Sequence, residues 1–321
     1  MMQVFHSLAE VPRDFGPSVV TVGNFDGVHC GHKAVLSEVI ASARAMQAKS
    51  VAVTFTPHPT QVVRPENAPL LLTPDDVKLE LLAATGVDAV LLLPFTPELR
   101  ATSARAFAEK VLCQALHARE VHEGDNFQFG YRGEGSVTGL AELGAELGFG
   151  TVVSPPLLFA GTPISSSRVR ASIAAGRLAE ARHLLGRSYF VRSTPAPGRG
   201  YGTRYTVPTI NLAPYAGLFP AHGVYVTELR IGAEIFHAVT NVGVRPTFGV
   251  DSFAVESHIL NFTPIDLNEA TPLDLTFQCR LRAEQKFDSP EALKAQILRD
   301  VARARRWFAL RDALSPQQPS A

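Results

Sequence analysis

The residues with the strongest claim to chemistry are two histidines, His29 and His32, inside GNFDGVHCGH at residues 23–32. Three positions apart, they fall on one face of a helical turn. Paired imidazoles at one point donate hydrogen bonds to phosphate oxygens and stabilise charge building on a transferring phosphoryl group. The interleaved Gly23, Gly27 and Gly31 let backbone approach a ligand closely, and free N–H groups at a helix start favour an anion. HxxH spacing also permits zinc, but no cysteine or carboxylate cluster nearby completes a ligand set. A second phosphate site is offered by PISSSRVR, residues 163–170. Its hydroxyls and two arginines match phosphate oxygens, and the same serines can cap a helix.

Another set lies far downstream. No GxxxxGK[ST] occurs, so a P-loop is excluded. GRGYGTRYTVPTINL, residues 198–212, instead offers backbone N–H groups to phosphates. Within it Thr209 and Asn211 alternate onto one strand face, giving two oxygen ligands to a hard cation such as Mg²⁺. Glu256, in ESHILNF at residues 256–262, can accept the proton of an attacking hydroxyl. An isolated strand glutamate is more often simply solvent-facing.

Two different frameworks must hold these sets. The first half alternates strand and helix patterns. Strands are expected at 18–23, 51–55, 89–95, 119–123 and 151–154, and helices at 34–46, 103–116 and 138–147. Thr73, Pro74 and Asp76 read as N-cap, first-turn proline and capping-box acid of a helix ending near Gly86. Such alternation implies a parallel sheet covered by helices, with ligands at the carboxyl ends of its strands. From about residue 185 strand follows strand, at 189–193, 223–231, 235–241, 254–260 and 273–281. Prolines and glycines separate them, as in an antiparallel barrel or sandwich. A last helix, opened by Pro290 behind Asp288 or Ser289, carries a stripe of Leu293, Ile297, Val301, Ala304 and Phe308. Expected domains are therefore 1–186 and 187–314, with a disordered tail at 315–321.

Taken together, GNFDGVHCGH, TFTPHP (residues 54–59), GDNFQFG (124–130) and ISSSRVR resemble the flavin branch of the nucleotidylyltransferase superfamily. PTINL, GVY (223–225), NVGVRPTFG (241–249), ESHILNF and LRAEQKF (281–287) resemble the riboflavin kinase module. Both resemblances in one chain point to bacterial bifunctional riboflavin kinase/FAD synthetases. The resemblance implies a Rossmann-like adenylyltransferase domain followed by an antiparallel β-barrel kinase domain with a terminal helix. It implies phosphorylation of riboflavin to FMN and adenylylation of FMN to FAD, both with Mg²⁺–ATP. It gives Gly23, Phe25, Asp26 and Gly27 to the ATP pocket, and His29, His32, Ser165, Ser166 and Arg170 to the ATP phosphates. His29, His32 and Arg170 are the catalytic members of that set. Phe55, Pro57, His58, Asn126, Phe127 and Arg245 fall to flavin binding. Gly200, Gly202, Thr209 and Asn211 fall to kinase ATP, Thr209 and Asn211 also to the metal, and Glu256 becomes the catalytic base. Two departures stand out: Gln128 replaces a common arginine of the first module, and Asn261 replaces a common aspartate of the second.

The composition fits this reading and opposes others. With 30 basic and 30 acidic side chains in 321 residues, the chain lacks the basic excess usual for nucleic-acid binders. Arg299, Arg303, Arg305 and Arg306 on the last helix are the features that favour nucleic acid. Three scattered cysteines suit a reducing compartment. With no membrane-length apolar run and no signal-like N-terminus, a cytoplasmic location is expected. The expected partners are riboflavin, FMN and ATP, with no nucleic acid and no membrane, on a monomer or weak homo-oligomer.

Overall fold

The computed structural model describes residues 1–196, 209–247, 250–261 and 267–314, with backbone alone at 244–247 and 250–252. It divides into two compact units, Met1–Ser166 and Ser167–Ala321.

Unit one is built on six parallel strands: β1 (Gln3–Phe5), β2 (Ser18–Val22), β3 (Lys49–Thr56), β4 (Ala89–Pro94), β5 (Ala118–Gly124) and β8 (Gly150–Ser154). They lie in the order β1-β4-β3-β2-β5-β8. The order therefore reverses between β2 and β5, where open α/β sheets bind ligands. Two short hairpins accompany the sheet, β6 (Gln128–Phe129) with β7 (Gly135–Ser136), and β9 (Leu158–Phe159) with β10 (Thr162–Pro163). The helices are α1 (Cys30–Ala45), α2 (Pro59–Val63), α3 (Asp75–Ala83), α4 (Pro97–Arg100), α5 (Ala104–Phe107) and α6 (Val137–Leu147).

Alternation along the strands divides the core in two. Val20, Val22, Val51, Val53, Leu91 and Leu93 pack with Phe107, Leu112, Leu140 and Phe149. The residues between them face the other way: Ala52 and Val90 join Leu36, Ile40 and Leu82, and Val19 joins Val39 and Ala43. Nearly continuous apolar strands are what a sheet covered on both faces requires.

The expected cap of α3 falls elsewhere. Pro74 is its N-cap and makes no side-chain bond. The Thr73 hydroxyl is engaged instead by Gly27 and Asp26, because a buried loop carboxylate draws it more strongly than a solvated helix end does. The expected helix over 103–116 is α5 running into a π-helical stretch at Ala108–Ala115.

Unit two begins with α7 (Ser166–Ala174, whose first residue closes unit one) and α8 (Leu178–Leu185). Its antiparallel sheet contains β11 (Tyr189–Ser193), β12 (Pro195–Ala196), β13 (Thr209–Leu212), β14 (Gly223–Ile231), β15 (Glu234–Thr247), β16 (Val250–Ile259) and β17 (Leu273–Ala283). The order β11-β17-β14-β15-β16-β13-β12 makes a half-barrel. Arg182 of α8 donates to the Gln278 carbonyl and side-chain oxygens at 2.8 and 2.9 Å, fixing that helix to β17.

The terminal helix spans Pro290–Leu314, and Ser289 caps it by accepting the Ala292 N–H. Its buried line is Asp300, Ala304 and Phe308. Leu293 and Ile297, expected on that face, are 42% and 43% exposed. The face is set by an ion pair, Asp300 with Arg282 of β17 at 2.9 Å, which apolar periodicity does not reveal.

Candidate active sites

The first site starts where β2 ends. Gly23–Val28 turns sharply, with Phe25, Gly27 and Val28 at φ +47°, +82° and +38°. At Gly27 a Cβ would also stand 2.7 Å from a Leu72 methyl, so both conformation and space demand glycine. Asp26 staples the turn. It is buried, and its carboxylate accepts the Leu72 and Thr73 N–H groups at 3.0 Å and the Thr73 hydroxyl at 3.3 Å. Its carbonyl accepts the Ser166 hydroxyl at 2.9 Å. Asp26 and Ser166 therefore hold the turn that leads into the histidines.

His29 is the N-cap of α1, and its Nδ1 accepts the His32 N–H at 3.3 Å. The two imidazoles stack with centroids 3.6 Å apart, and Phe25 meets His32 edge-on at 5.1 Å. Gly31 leaves room for the stack, since a Cβ there would lie 3.1 Å from the His29 ring. Burial first, and His29 second, hold the His32 pKa well below the usual histidine range. Its Nδ1 is buried with no hydrogen-bond partner among the described residues. With the ring proton on Nδ1, that nitrogen is an unused donor at a helix start, where anions are favoured.

Beside this turn a cavity of about 820 Å³ opens at the carboxyl ends of the strands. Val22, Gly23 and Asn24 form one side; Phe55, Phe95, Phe107, Phe127 and Phe129 supply aromatic walls; Arg64, Arg100 and Arg132 are its charged lining. Of the residues expected at a flavin, Phe55 and Phe127 line it, and Pro57, His58 and Asn126 do not. His58 caps α2, accepting the Thr60 N–H at 3.2 Å. Gln128 also lines the cavity. Sequence reading missed Phe95 and the arginines, which reach the cavity from separate segments, Arg100 from the end of α4; the alternation of Phe127 with Phe129 was the available signal. Ser165 precedes α7 and Arg170 sits on it, in the second unit.

The second site lies on three neighbouring strands. Asn211 of β13 pairs with Glu256 of β16, and Thr209 pairs with His258. Across the other edge of β16, Glu256 pairs with Asn241 of β15. Glu256 thus stands between two asparagines, and Asn241 is the member that the motifs did not single out. Burial, with a contribution from Arg305, lowers the His258 pKa. Gly200 and Gly202 lie outside the described residues. Arg245 is placed only as backbone, opposite Ser252.

A helix-start histidine pair on a parallel sheet, followed by an antiparallel half-barrel, defines a two-module protein of nucleotide chemistry. The FAD synthetase family profile matches residues 11–168, and the riboflavin kinase profile matches 185–308. The chain is 35% identical over 309 residues to the bifunctional riboflavin kinase/FMN adenylyltransferase of Pseudomonas fluorescens, covering 95% of this chain and 97% of that protein. It is 33% identical over 311 residues to the protein of the same name from Escherichia coli strain K12, covering 97% and 98%. Among solved structures, one named as a macrolide-efflux protein of Streptococcus pneumoniae superposes with a TM-score of 0.85 at 26% identity, covering 95% of this chain and 99% of that one. In the present chain no described helix is long and apolar enough to cross a membrane. The chain belongs to the bifunctional riboflavin kinase/FMN adenylyltransferase family, as an enzyme with both activities.

Proposed function

We propose that FMN adenylylation takes place at the His29–His32 turn and its adjoining cavity, and riboflavin phosphorylation beside Glu256. The observation that carries the first assignment is the stacked histidine pair at the start of α1, with the buried Nδ1 of His32 unpartnered among the described residues. The aromatic walls suit an isoalloxazine ring, and the arginines suit its anionic tail.

In the first reaction an FMN phosphate oxygen attacks the α-phosphorus of ATP. A new O–P bond forms, the bond to the β-phosphate bridging oxygen breaks, and pyrophosphate leaves. FMN supplies the nucleophile, so the protein's work is positioning and charge stabilisation. His29 and His32 hydrogen-bond the phosphates of ATP, while Gly23, Phe25 and Gly27 shape the pocket around the nucleotide. Ser165 is assigned to a further phosphate contact.

In the second reaction the riboflavin 5′-hydroxyl attacks the γ-phosphorus of ATP, ADP leaves, and Glu256 takes the hydroxyl proton late in the transfer. The cross-strand set of Thr209, Asn211 and Glu256 offers hydroxyl, amide and carboxylate oxygens, which fits Mg²⁺. No group of three or more histidine, cysteine or acidic side chains among the described residues is arranged for a metal, so ATP phosphates would supply much of the shell. When bound, Mg²⁺ neutralises phosphate charge; Thr209 and Asn211 would hold it. A cytoplasmic enzyme acting on free riboflavin, FMN and ATP fits this assignment.

The test is to incubate purified protein with riboflavin, ATP and Mg²⁺ and resolve flavins by chromatography. FMN should appear first and FAD after it. Failure to form either product would refute the assignment.

A further inference from the structure

Glu123 is a fully enclosed acid on which neither reaction above draws. It lies on β5, one residue before the strand ends at Gly124. Strands β2 and β5 pair only as far as Val20 with Val121. Beyond that they part, while each keeps its other neighbour: β2 pairs with β3 as far as Val22, and β5 with β8 as far as Gly124. The parting coincides with the reversal of strand order. Across the gap, the Val22 N–H donates to the Glu123 carboxyl at 2.6 Å. Val22 leads directly into Gly23 and the histidine turn. On the other side, the Gly124 carbonyl accepts the Phe127 N–H at 3.1 Å, turning the chain toward the cavity wall.

We propose that Glu123 is a positioning residue for FMN adenylylation, spanning the parted ends of β2 and β5 so that the histidine turn and the Phe127 wall keep a fixed separation. The inference rests on the assignment of adenylylation to that turn.

Enclosure favours the uncharged form of this acid. Burial drives the Glu123 pKa well above the ordinary glutamate range, and the Val22 hydrogen bond only partly offsets this. Glu123 shares the strand face of Val121, which belongs to the apolar cluster that includes Leu112, Phe129, Leu140 and Phe149. The nearby ionisable groups occupy the opposite face: His122 meets Glu120 at 2.6 Å, and Glu38 of α1 at 3.9 Å. No charged side chain contributes to the Glu123 shift. The folded state thus keeps a proton that the unfolded chain releases above its ordinary pKa. The carboxyl costs progressively more stability as pH rises from there toward its folded pKa, and ionisation beyond that puts a bare charge in the gap.

Three full-length proteins test the bridge: wild type, Glu123→Gln and Glu123→Ala. Each is assayed for FMN-to-FAD conversion across pH and for riboflavin-to-FMN conversion as a control on the second module. Glu123→Gln keeps a neutral acceptor for Val22 and should retain kcat/KM within about twofold at neutral pH. Its alkaline decline should be weaker than that of wild type. Glu123→Ala strands a buried N–H and should lose about tenfold or more in FAD formation with the kinase step unchanged. An Ala variant equal to wild type would overturn the bridge, as would an alkaline decline identical in wild type and Gln. So would a Gln variant as impaired as Ala, which would assign the charge itself a role. His29→Ala run alongside separates the two claims. If it abolishes FAD formation and Glu123→Ala does not, the site stands and the bridge fails. If neither lowers FAD formation, the site assignment itself fails.

Discussion

The imidazoles of His29 and His32 lie face to face, 3.6 Å between centroids and 16° from parallel, with His29 as helix cap and His32 held by its N–H to the His29 ring. This arrangement disfavours a second positive charge. The unfolded chain takes up a proton near pH 6.5 that the folded site resists. Stability therefore falls as pH drops below about 6.5 and goes on falling until the folded His32 protonates. His32→Gln should lose less thermal stability than wild type between about pH 6.5 and 5. Parallel curves for the two proteins would show that His32 titrates as an ordinary surface histidine.

Asp26→Ala should disturb the first module without touching the second. It strands the Leu72 and Thr73 N–H groups, which donate to the Asp26 carboxylate. A loss of about 2–3 kcal/mol is expected for such buried donors. It should appear in urea unfolding as an earlier transition, coincident with loss of FAD formation, while FMN formation persists to wild-type urea concentrations. Unchanged transitions would reassign Asp26 from staple to direct nucleotide contact.

Asn211→Ala should weaken the kinase step through its Mg²⁺–ATP complex. A rise in KM for Mg²⁺–ATP of about tenfold is expected, partly reversed by raised Mg²⁺. Equal loss of FAD formation from supplied FMN would instead indicate a general folding defect.

Much of the framework was readable because its physics is local. Runs such as SVVTV and VAVTF are strands by β-branching, and the turn between β2 and α1 announces itself by glycine. What was not readable depends on register or on a distant partner. Strand β15 runs on to Thr247 although Gly243 and Pro246 look like breakers, since its pairing with β16 continues to Thr247 opposite Val250. Asn241 joins Glu256 only through that register. The terminal helix packs the expected Val301, Ala304 and Phe308 inward but leaves Leu293 and Ile297 exposed, and it adds Asp300, which finds Arg282. Glu123 has nothing local to distinguish it from a surface acid; its burial follows from where two strands part. Thr73 has the spacing of a helix cap, yet its hydroxyl belongs to a loop 46 residues away.

The central claim is that two chemically separate sites perform the two steps, and it is tested most directly by measuring each step in His29→Ala and Glu256→Gln. With riboflavin as substrate, Glu256→Gln should lower kinase turnover by about 100- to 10,000-fold, the range for loss of a general base. With FMN supplied directly, it should still form FAD at the wild-type rate. His29→Ala should do the reverse, converting riboflavin to FMN normally while FAD formation collapses. Either variant losing both steps while folded, or Glu256→Gln keeping kinase turnover within about twofold, would contradict the account.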